Sequence, residues 1–232
     1  MFLRTLIVWG IGIPVTLFLF PFALIGFLVD RRGNAVHSIG ALWSRILLFL
    51  SGVHLEVKGI ENIPLHGPLI FAANHRGAFD IPVLQARLPV QFRWVAKRGL
   101  FKIPFVGWAM SMAGYIGIDT VNASSAMKSI ERAADRIQAG TSVVIFPEGT
   151  RNEAPALLPF KRGGFLLAVK SGVPVVPVSI EGTDRVMKRG SLFISSAEVR
   201  VRIGRPIKTK GADEAGLMAA AKKAIEKGLA SL

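Results

Sequence analysis

The sequence predicts an α/β fold: a mostly parallel or mixed sheet of about seven strands flanked by helices, with an N-terminal pair of apolar helices attaching it to a membrane. Three observations carry this expectation. No charged residue occurs from Thr5 to Val29. From residue 53 onward, short apolar runs alternate with helical patterns and turn residues. Overall, 51% of the residues are hydrophobic and the mean hydropathy is +0.46, yet charged residues still reach 19%. That mixture fits a globular body with an apolar attachment better than a polytopic membrane protein. The expected division is residues 1–52 as the membrane-associated helical segment and residues 53–232 as the α/β domain.

As a straight helix the uncharged run would be about 37 Å long, against a bilayer core of about 30 Å. Pro14 and Pro21 lie inside it, and each removes a helix hydrogen bond. A clean span and a kinked or re-entrant hairpin are therefore both open. A cleaved signal peptide fits less well, because the run is long and lacks a small-x-small exit. Arg4 before it and Arg31–Arg32 after it leave the orientation undecided. The next apolar stretch, Ile39 to Val53, carries Trp43 and Arg45. It reads equally as an amphipathic helix at the interface and as a core helix of the body.

The expected strands are His54–Gly59, Pro68–Ala73, Phe92–Ala96, Tyr115–Ile118, Ser142–Phe146, Val175–Ile180 and Ala197–Ile203. Helical patterns cover Ile81–Arg87, Ser124–Ala139, Phe165–Ser171 and Asp213–Leu229. In the last of these, Leu217, Ala221, Ala224, Ile225 and Leu229 share one face.

Composition narrows the partners. The chain has no cysteine, so disulfides, thiolate catalysis and Cys-ligated zinc are excluded. Lys and Arg number 29 against 15 Asp and Glu, a formal net charge of +14. Such a balance attracts either nucleic acid or an anionic membrane surface and anionic substrates. The apolar N-terminus favours the membrane. So does the single Tyr, since stacking platforms for bases need exposed aromatics. The partners expected are membrane lipids, with no nucleic acid and no metal.

Three loops at strand ends bear the chemistry. In Asn74-His75-Arg76-Gly77-Ala-Phe-Asp80, His75 follows the buried strand Leu69–Ala73, on the edge where open α/β sheets bind ligands. Asp80 lies five residues on, across a strand–loop–helix turn. It is placed to accept from Nδ1 and leave Nε2 free as a base. Gly77 permits a tight turn and offers a backbone N–H toward a reacting carbonyl, with Arg76 beside it as further oxyanion or loop support. The plainer alternative makes Asp80 the N-cap of the following helix and His75 an ordinary loop residue. In Phe146-Pro-Glu148-Gly149-Thr150-Arg151, Gly149 admits close backbone approach. Thr150 and Arg151 supply a hydroxyl and a planar fork suited to phosphate. Glu148 braces the loop or orients Arg151; the alternative is an ordinary turn with surface charges. Lys97, at the end of Phe92–Ala96, is either a phosphate point charge or a solvated lysine. The sequence has no Gly-x-Ser-x-Gly elbow, no Walker A run and no His-Glu-x-x-His motif. A His–Asp pair without a protein nucleophile implies attack by the substrate's own hydroxyl.

Taken together, these residues resemble the lysophosphatidic acid acyltransferase family (1-acylglycerol-3-phosphate O-acyltransferases) of the glycerolipid acyltransferase superfamily. The resemblance runs from about Gly52 to Pro206, and the N-terminal apolar segment matches as well. Asn74-His75…Asp80 looks like the family's first block and Gly114-Tyr-Ile-Gly-Ile-Asp119-Thr120 its second. Phe146–Arg151 looks like the third and Val173-Pro174-Val-Val-Pro177 the fourth. It implies that His75 and Asp80 are catalytic, and that Glu148, Gly149, Thr150, Arg151 and Lys97 bind the glycerol phosphate. The fourth block would shape the acyl or donor path. The implied reaction moves an acyl group from acyl-CoA or acyl-carrier protein, as donor substrate and without a cofactor, to the 2-hydroxyl of lysophosphatidic acid. The implied location is the membrane, at the cytoplasmic face of an inner membrane. The chain departs from the family pattern at Gly77, usually Ser, at Gly99, usually Glu, and at Thr120, usually Arg. Thr120 keeps other lyso-lipid acceptors in play, such as a lyso-amino-acid lipid. A lipid-binding homologue without catalysis is the remaining alternative.

Overall fold

The computed structural model describes residues 1–119 and 122–232. All seven expected strands form: β1 (His54–Lys58), β2 (Ile70–Ala73), β3 (Phe92–Lys97), β4 (Ile116–Ile118), β5 (Ser142–Ile145), β6 (Val175–Glu181) and β7 (Glu198–Ile203). Their order in one sheet is β1-β7-β6-β2-β5-β3-β4. Every pairing is parallel except β6 with β7. The carboxyl ends of β6, β2, β5 and β3, which are neighbours, therefore meet along one edge.

Eight α-helices are described: α1 (Phe2–Val29), α2 (Asn34–Ser51), α3 (Asp80–Arg87), α4 (Val106–Met112), α5 (Ala123–Gln138), α6 (Arg162–Ser171), α7 (Thr183–Val186) and α8 (Glu214–Leu229). Both faces of the sheet are covered, which explains why β2 and β5 read as unbroken apolar runs. On one face Phe71, Phe92, Trp94 and Val144 pack with Val83 and Leu84 of α3, Leu48 of α2 and Val8 of α1. On the other, Ile70, Ala72, Val143 and Ile145 pack with Ile130 of α5, Phe165 of α6 and Leu217 and Ile225 of α8. Side chains at Asn122 and Asp213 cap α5 and α8, accepting from Ser125 and Gly216 N–H groups.

The structure revises several expectations. Pro14 and Pro21 sit inside one continuous helix, so no hairpin forms within the uncharged run. The chain reverses after it, at Asp30–Gly33, where the Asp30 carboxylate accepts from the N–H groups of Arg32, Asn34 and Ala35. Gly33 there adopts a φ of +79°, and a Cβ would stand 2.6 Å from the carbonyl carbon of Ala113. The two readings of Ile39–Val53 prove to be two sides of α2. His37, Ser44, Leu48 and Ser51 are buried against the body, while Phe49 is 83% exposed. Asp80 is the first residue of α3 rather than its cap, a place Phe79 takes. The seven-residue α4 was not expected, being too short to show a period. Thr120, the departure in the second block, lies outside the described residues.

Helix α1 lies along the body instead of projecting from it. Near its start, Thr5 Oγ1 accepts from Ile194 N–H at 2.9 Å and Trp9 Nε1 donates to Leu192 O at 2.9 Å. Near its end Ala23 is buried and Gly26 packs on Ala35 of α2. Its outer face keeps Leu17, Phe18, Ile25 and Leu28 exposed.

Candidate active site

Beyond Ala73 strand β2 parts from β6, and the buried Asn74 side chain bridges the opening. Its Oδ1 accepts from Ile180 N–H at 2.7 Å and its Nδ2 donates to Ile180 O at 2.9 Å. That pair fixes the backbone entering His75. The His75 N–H donates to Glu148 Oε1 at 2.9 Å, and its carbonyl accepts from Asn152 N–H at 2.7 Å. The imidazole stacks on Phe146, with centroids 4.0 Å apart, and Phe146 stacks on Trp94 at 5.5 Å. Backbone and ring are thus both held before any partner acts on the imidazole.

His75 Nδ1 meets Asp80 Oδ2 at 2.6 Å. Asp80 is wholly buried, and an isolated carboxylate there would be costly. Its oxygens are fully occupied. Oδ2 also accepts from the N–H groups of Arg76 at 2.7 Å and Gly77 at 3.0 Å, and Oδ1 accepts from the Thr183 hydroxyl. Oδ2 already accepts two backbone N–H groups, so His75 donates to it through Nδ1–H, and in the neutral imidazole this tautomer puts the lone pair on Nε2. Among the described residues Nε2 has no protein partner, and the ring is 15% exposed.

The Gly77 N–H is consumed by Asp80, which corrects its expected use toward a reacting carbonyl. A Cβ at Gly77 would stand 2.8 Å from Thr183 O, so a larger residue there collides with the start of α7. Arg76 supports the loop: its guanidinium donates to Ala154 O and lies 3.7 Å from Asp184.

The second loop divides into a brace and an open face. Glu148 is buried, and both its oxygens are engaged: Oε1 by His75 N–H, Oε2 by Leu158 N–H at 2.9 Å and Asn152 Nδ2 at 3.3 Å. It ties the β5 loop to the β2 loop as an acceptor of three chain N–H groups, and a carboxylate has no donor to offer a phosphate, unlike the contact implied by the resemblance. Gly149 has a φ of +69°, and a Cβ would lie 2.8 Å from Lys161 Cε. Thr150 is exposed and Arg151 half-buried, one residue from the Asn152 that holds His75. Among the described residues the Arg151 and Lys97 side chains have no hydrogen-bond or ion-pair partner. Lys97 ends β3 on the same edge. The fourth block runs into β6, where Val175, Val176 and Pro177 are buried in the sheet.

Sequence reasoning missed Thr183, the Asn74 bridge and the Phe146 stack. A signal for the first was present: Glu181-Gly-Thr-Asp184 follows β6 as Glu148-Gly-Thr-Arg151 follows β5.

The family model described as Acyltransferase matches residues 54–181. The chain is 37% identical over 196 residues to a chloroplastic 1-acyl-sn-glycerol-3-phosphate acyltransferase of Brassica napus, covering 83% of this chain and 56% of that protein. With the alpha form of Mus musculus it shares 33% identity over 186 residues, 78% of this chain and 65% of that one. It spans about half the length of the chloroplastic relatives of Brassica napus and Arabidopsis thaliana. The crystal structure of the 1-acyl-sn-glycerophosphate (LPA) acyltransferase PlsC from Thermotoga maritima is similar at a TM-score of 0.85 and 28% identity, over 99% of this chain and 95% of that one.

Proposed function

We propose, from the premise that this chain belongs to the Acyltransferase family, that it moves a fatty acyl group from a thioester to the 2-hydroxyl of lysophosphatidic acid. The observation that carries this reading is the free Nε2 of a histidine whose Nδ1 is held by a wholly buried aspartate. Nε2 takes the proton of the acceptor hydroxyl as its oxygen attacks the thioester carbonyl. The imidazolium that forms is stabilised by the Asp80 carboxylate. The tetrahedral adduct collapses by expelling the thiolate, which takes the proton back from Nε2. A thiol pKa of about 8.5 makes it a fair leaving group. No enzyme-bound acyl intermediate is needed: among the described residues no hydroxyl meets Nε2, and the Thr183 hydroxyl is engaged by Asp80 instead.

Thr150, Arg151 and Lys97 receive the glycerol phosphate: Thr150 and Lys97 are exposed on this edge, and among the described residues Arg151 and Lys97 have no protein partner. Glu148 positions His75 through its backbone. Acyl-CoA and acyl-carrier protein are the two donor classes, and both are polyanionic, as the +14 balance favours.

The body docks on the membrane through α1 with the segment following β3. Leu100, Phe105, Val106 and Trp108 are 44–59% exposed, and Phe105 meets Phe20 of α1 edge-on at 5.8 Å. Together they extend the apolar face of α1 toward Lys97. A helix of 28 residues is about 42 Å long, enough to cross a bilayer. Here both its ends are tied to one body, so it lies in one leaflet beside the site where a lysolipid arrives.

The test is acyl transfer by the purified protein with lysophosphatidic acid and acyl-CoA, read as thiol release. His75→Ala is expected to abolish it; a His75→Ala enzyme turning over at the wild-type rate would refute the reading. Thr120, where the family pattern has Arg, motivates a second reading in which another lyso-lipid is the acceptor. A panel of lyso-acceptors decides between them by relative kcat/KM. Lipid binding with no thiol release from any acceptor would leave the non-catalytic reading standing instead.

A further inference from the structure

We propose that a basic cleft on the opposite edge of the sheet is a second anion site, which takes the phosphate group of a membrane-lipid headgroup. The cleft has a volume of about 480 Å³ and lies between the α1–α2 turn and the amino ends of β3 and β5. Arg32, Asn34, Gln91, Arg93, Arg136 and Thr141 line it, and among the described residues no acidic side chain does. Arg93 stands about 13 Å along β3 from Lys97, four residues at about 3.3 Å each, so this site is separate from the acceptor-phosphate edge.

The cleft is built around a buried charge. Arg93 is 4% exposed, and its guanidinium donates to Gln91 Oε1, Phe92 O, Arg32 O and Asn34 Oδ1. Among the described residues no carboxylate lies within ion-pair distance of it. Its Nε is buried with no partner. Arg136 donates one N–H to Gly114 O and adds a second guanidinium, and Arg32 adds a third. Burial disfavours the charge on Arg93 and Arg136 adds repulsion, offset in part by Tyr115 and by the Asp30 carboxylate. Arg93 spends both terminal nitrogens on the chain, Arg136 and Arg32 add further donors, and Asp30 of the α1–α2 turn is the one carboxylate whose field reaches Arg93 among the described residues, so a phosphate group would supply charge that the three guanidinium groups lack. The walls are rigid, since Gly33 is seated against the Ala113 backbone too closely for any side chain.

The position identifies the source of the phosphate. Arg31 and Arg32 follow directly on α1, whose last residue Val29 is 83% exposed. If α1 lies in the leaflet as proposed above, its end delivers this cleft to headgroup depth, where an anionic surface attracts basic groups. The inference rests on that docking for the source of the phosphate and on nothing in the acyl-transfer reading.

The experiment compares the full chain with R32Q/R136Q and with K223Q/K227Q. The second pair removes the same charge from exposed lysines of α8, which do not line the cleft. Flotation with phosphatidylcholine vesicles containing phosphatidylglycerol is expected to show about tenfold weaker binding for R32Q/R136Q, the worth of one lost charge-assisted hydrogen bond. K223Q/K227Q should stay near wild type, and both should retain wild-type acyl transfer in detergent micelles. Equal weakening of both pairs would mean only general charge attraction and overturn the proposal. A parallel titration uses inorganic phosphate at constant ionic strength. If phosphate raises the thermal midpoint of the wild type but not of R32Q/R136Q, while vesicle binding is equal, the site takes soluble phosphate and the headgroup assignment is overturned. Loss of acyl transfer in wild-type protein would count against the catalytic reading and leave this one untouched.

Discussion

Asp80→Asn separates orientation from charge at the catalytic pair. In serine-hydrolase triads the corresponding change costs about 10⁴ in kcat, because the amide leaves the histidine in the wrong tautomer. The geometry here resists that. Oδ2 of Asp80 accepts from two backbone N–H groups as well as from His75 Nδ1. An asparagine must therefore keep its carbonyl oxygen in that position and turn its NH₂ toward Thr183. The Thr183 hydroxyl rotates and accepts where it formerly donated. His75 then keeps its Nδ1–H and its free Nε2. What is lost is the negative charge behind the imidazolium. Two unit charges about 4 Å apart at an effective dielectric of about 20 interact by about 4 kcal/mol, and a partly transferred proton takes a fraction of that. The expected loss is about 2–4 kcal/mol, or between about 30- and 1000-fold in kcat with little change in acceptor KM. Single-turnover thiol release measures it, with the thermal midpoint as a check on folding. The D80N/T183V double variant leaves the amide NH₂ with no acceptor and should lose more activity than the two single variants combined. If Asp80→Asn is as inactive as His75→Ala in a normally folded protein, the backbone does not enforce the tautomer and the reasoning fails.

The other expectations follow from single contacts. Glu148→Gln cannot satisfy all of its three N–H donors. It should lower kcat and cost about 1–3 kcal/mol of stability in denaturant melts, leaving acceptor KM near wild type. Arg151→Gln should do the reverse, raising acceptor KM tenfold or more with stability unchanged, since its guanidinium has no partner among the described residues. Gly77→Ala places a methyl group 2.8 Å from Thr183 O and should cost about 1–3 kcal/mol, lowering the thermal midpoint by several degrees. His37, on the buried face of α2, has its pKa pushed down to about 4 by burial and then by Arg93. The unfolded chain binds a proton near pH 6.5 and the folded chain does not. This group therefore removes stability as pH falls from about 6.5 to about 4, by up to about 3 kcal/mol. His37→Asn should flatten that slope in melts taken across the range.

The strands were legible because both faces of the sheet are covered. Continuous apolar runs such as Ser142–Phe146, ended by Pro or Gly, leave little choice of element. The antiparallel insertion of β7 between β1 and β6 was not legible, because it depends on which edges meet after the chain has crossed the sheet. The His75–Asp80 pair was readable from its place beyond a buried strand. Its third partner was not, because Thr183 lies 103 residues from Asp80 and joins it only through the adjacency of β2 and β6. Glu148 was named for the right loop and with two uses. Burial decides for the brace: Glu148 is 2% exposed and accepts three N–H donors of the chain.

The same adjacency accounts for Gly77. The resemblance makes Ser usual there, and Gly stands out as a departure when the loop is viewed alone. In the folded chain the Gly77 Cα faces the Thr183 carbonyl, with Asp184 N also about as near as a Cβ would tolerate, at 3.0 Å. Thr183 must come that close for its hydroxyl to reach Oδ1 of Asp80. A serine at 77 would push the start of α7 outward and lift that hydroxyl from the carboxylate. The small residue at 77 and the hydroxyl at 183 are therefore one device. Thr183→Val in this chain should weaken His75 more than the same change would in a relative carrying Ser at the position of Gly77.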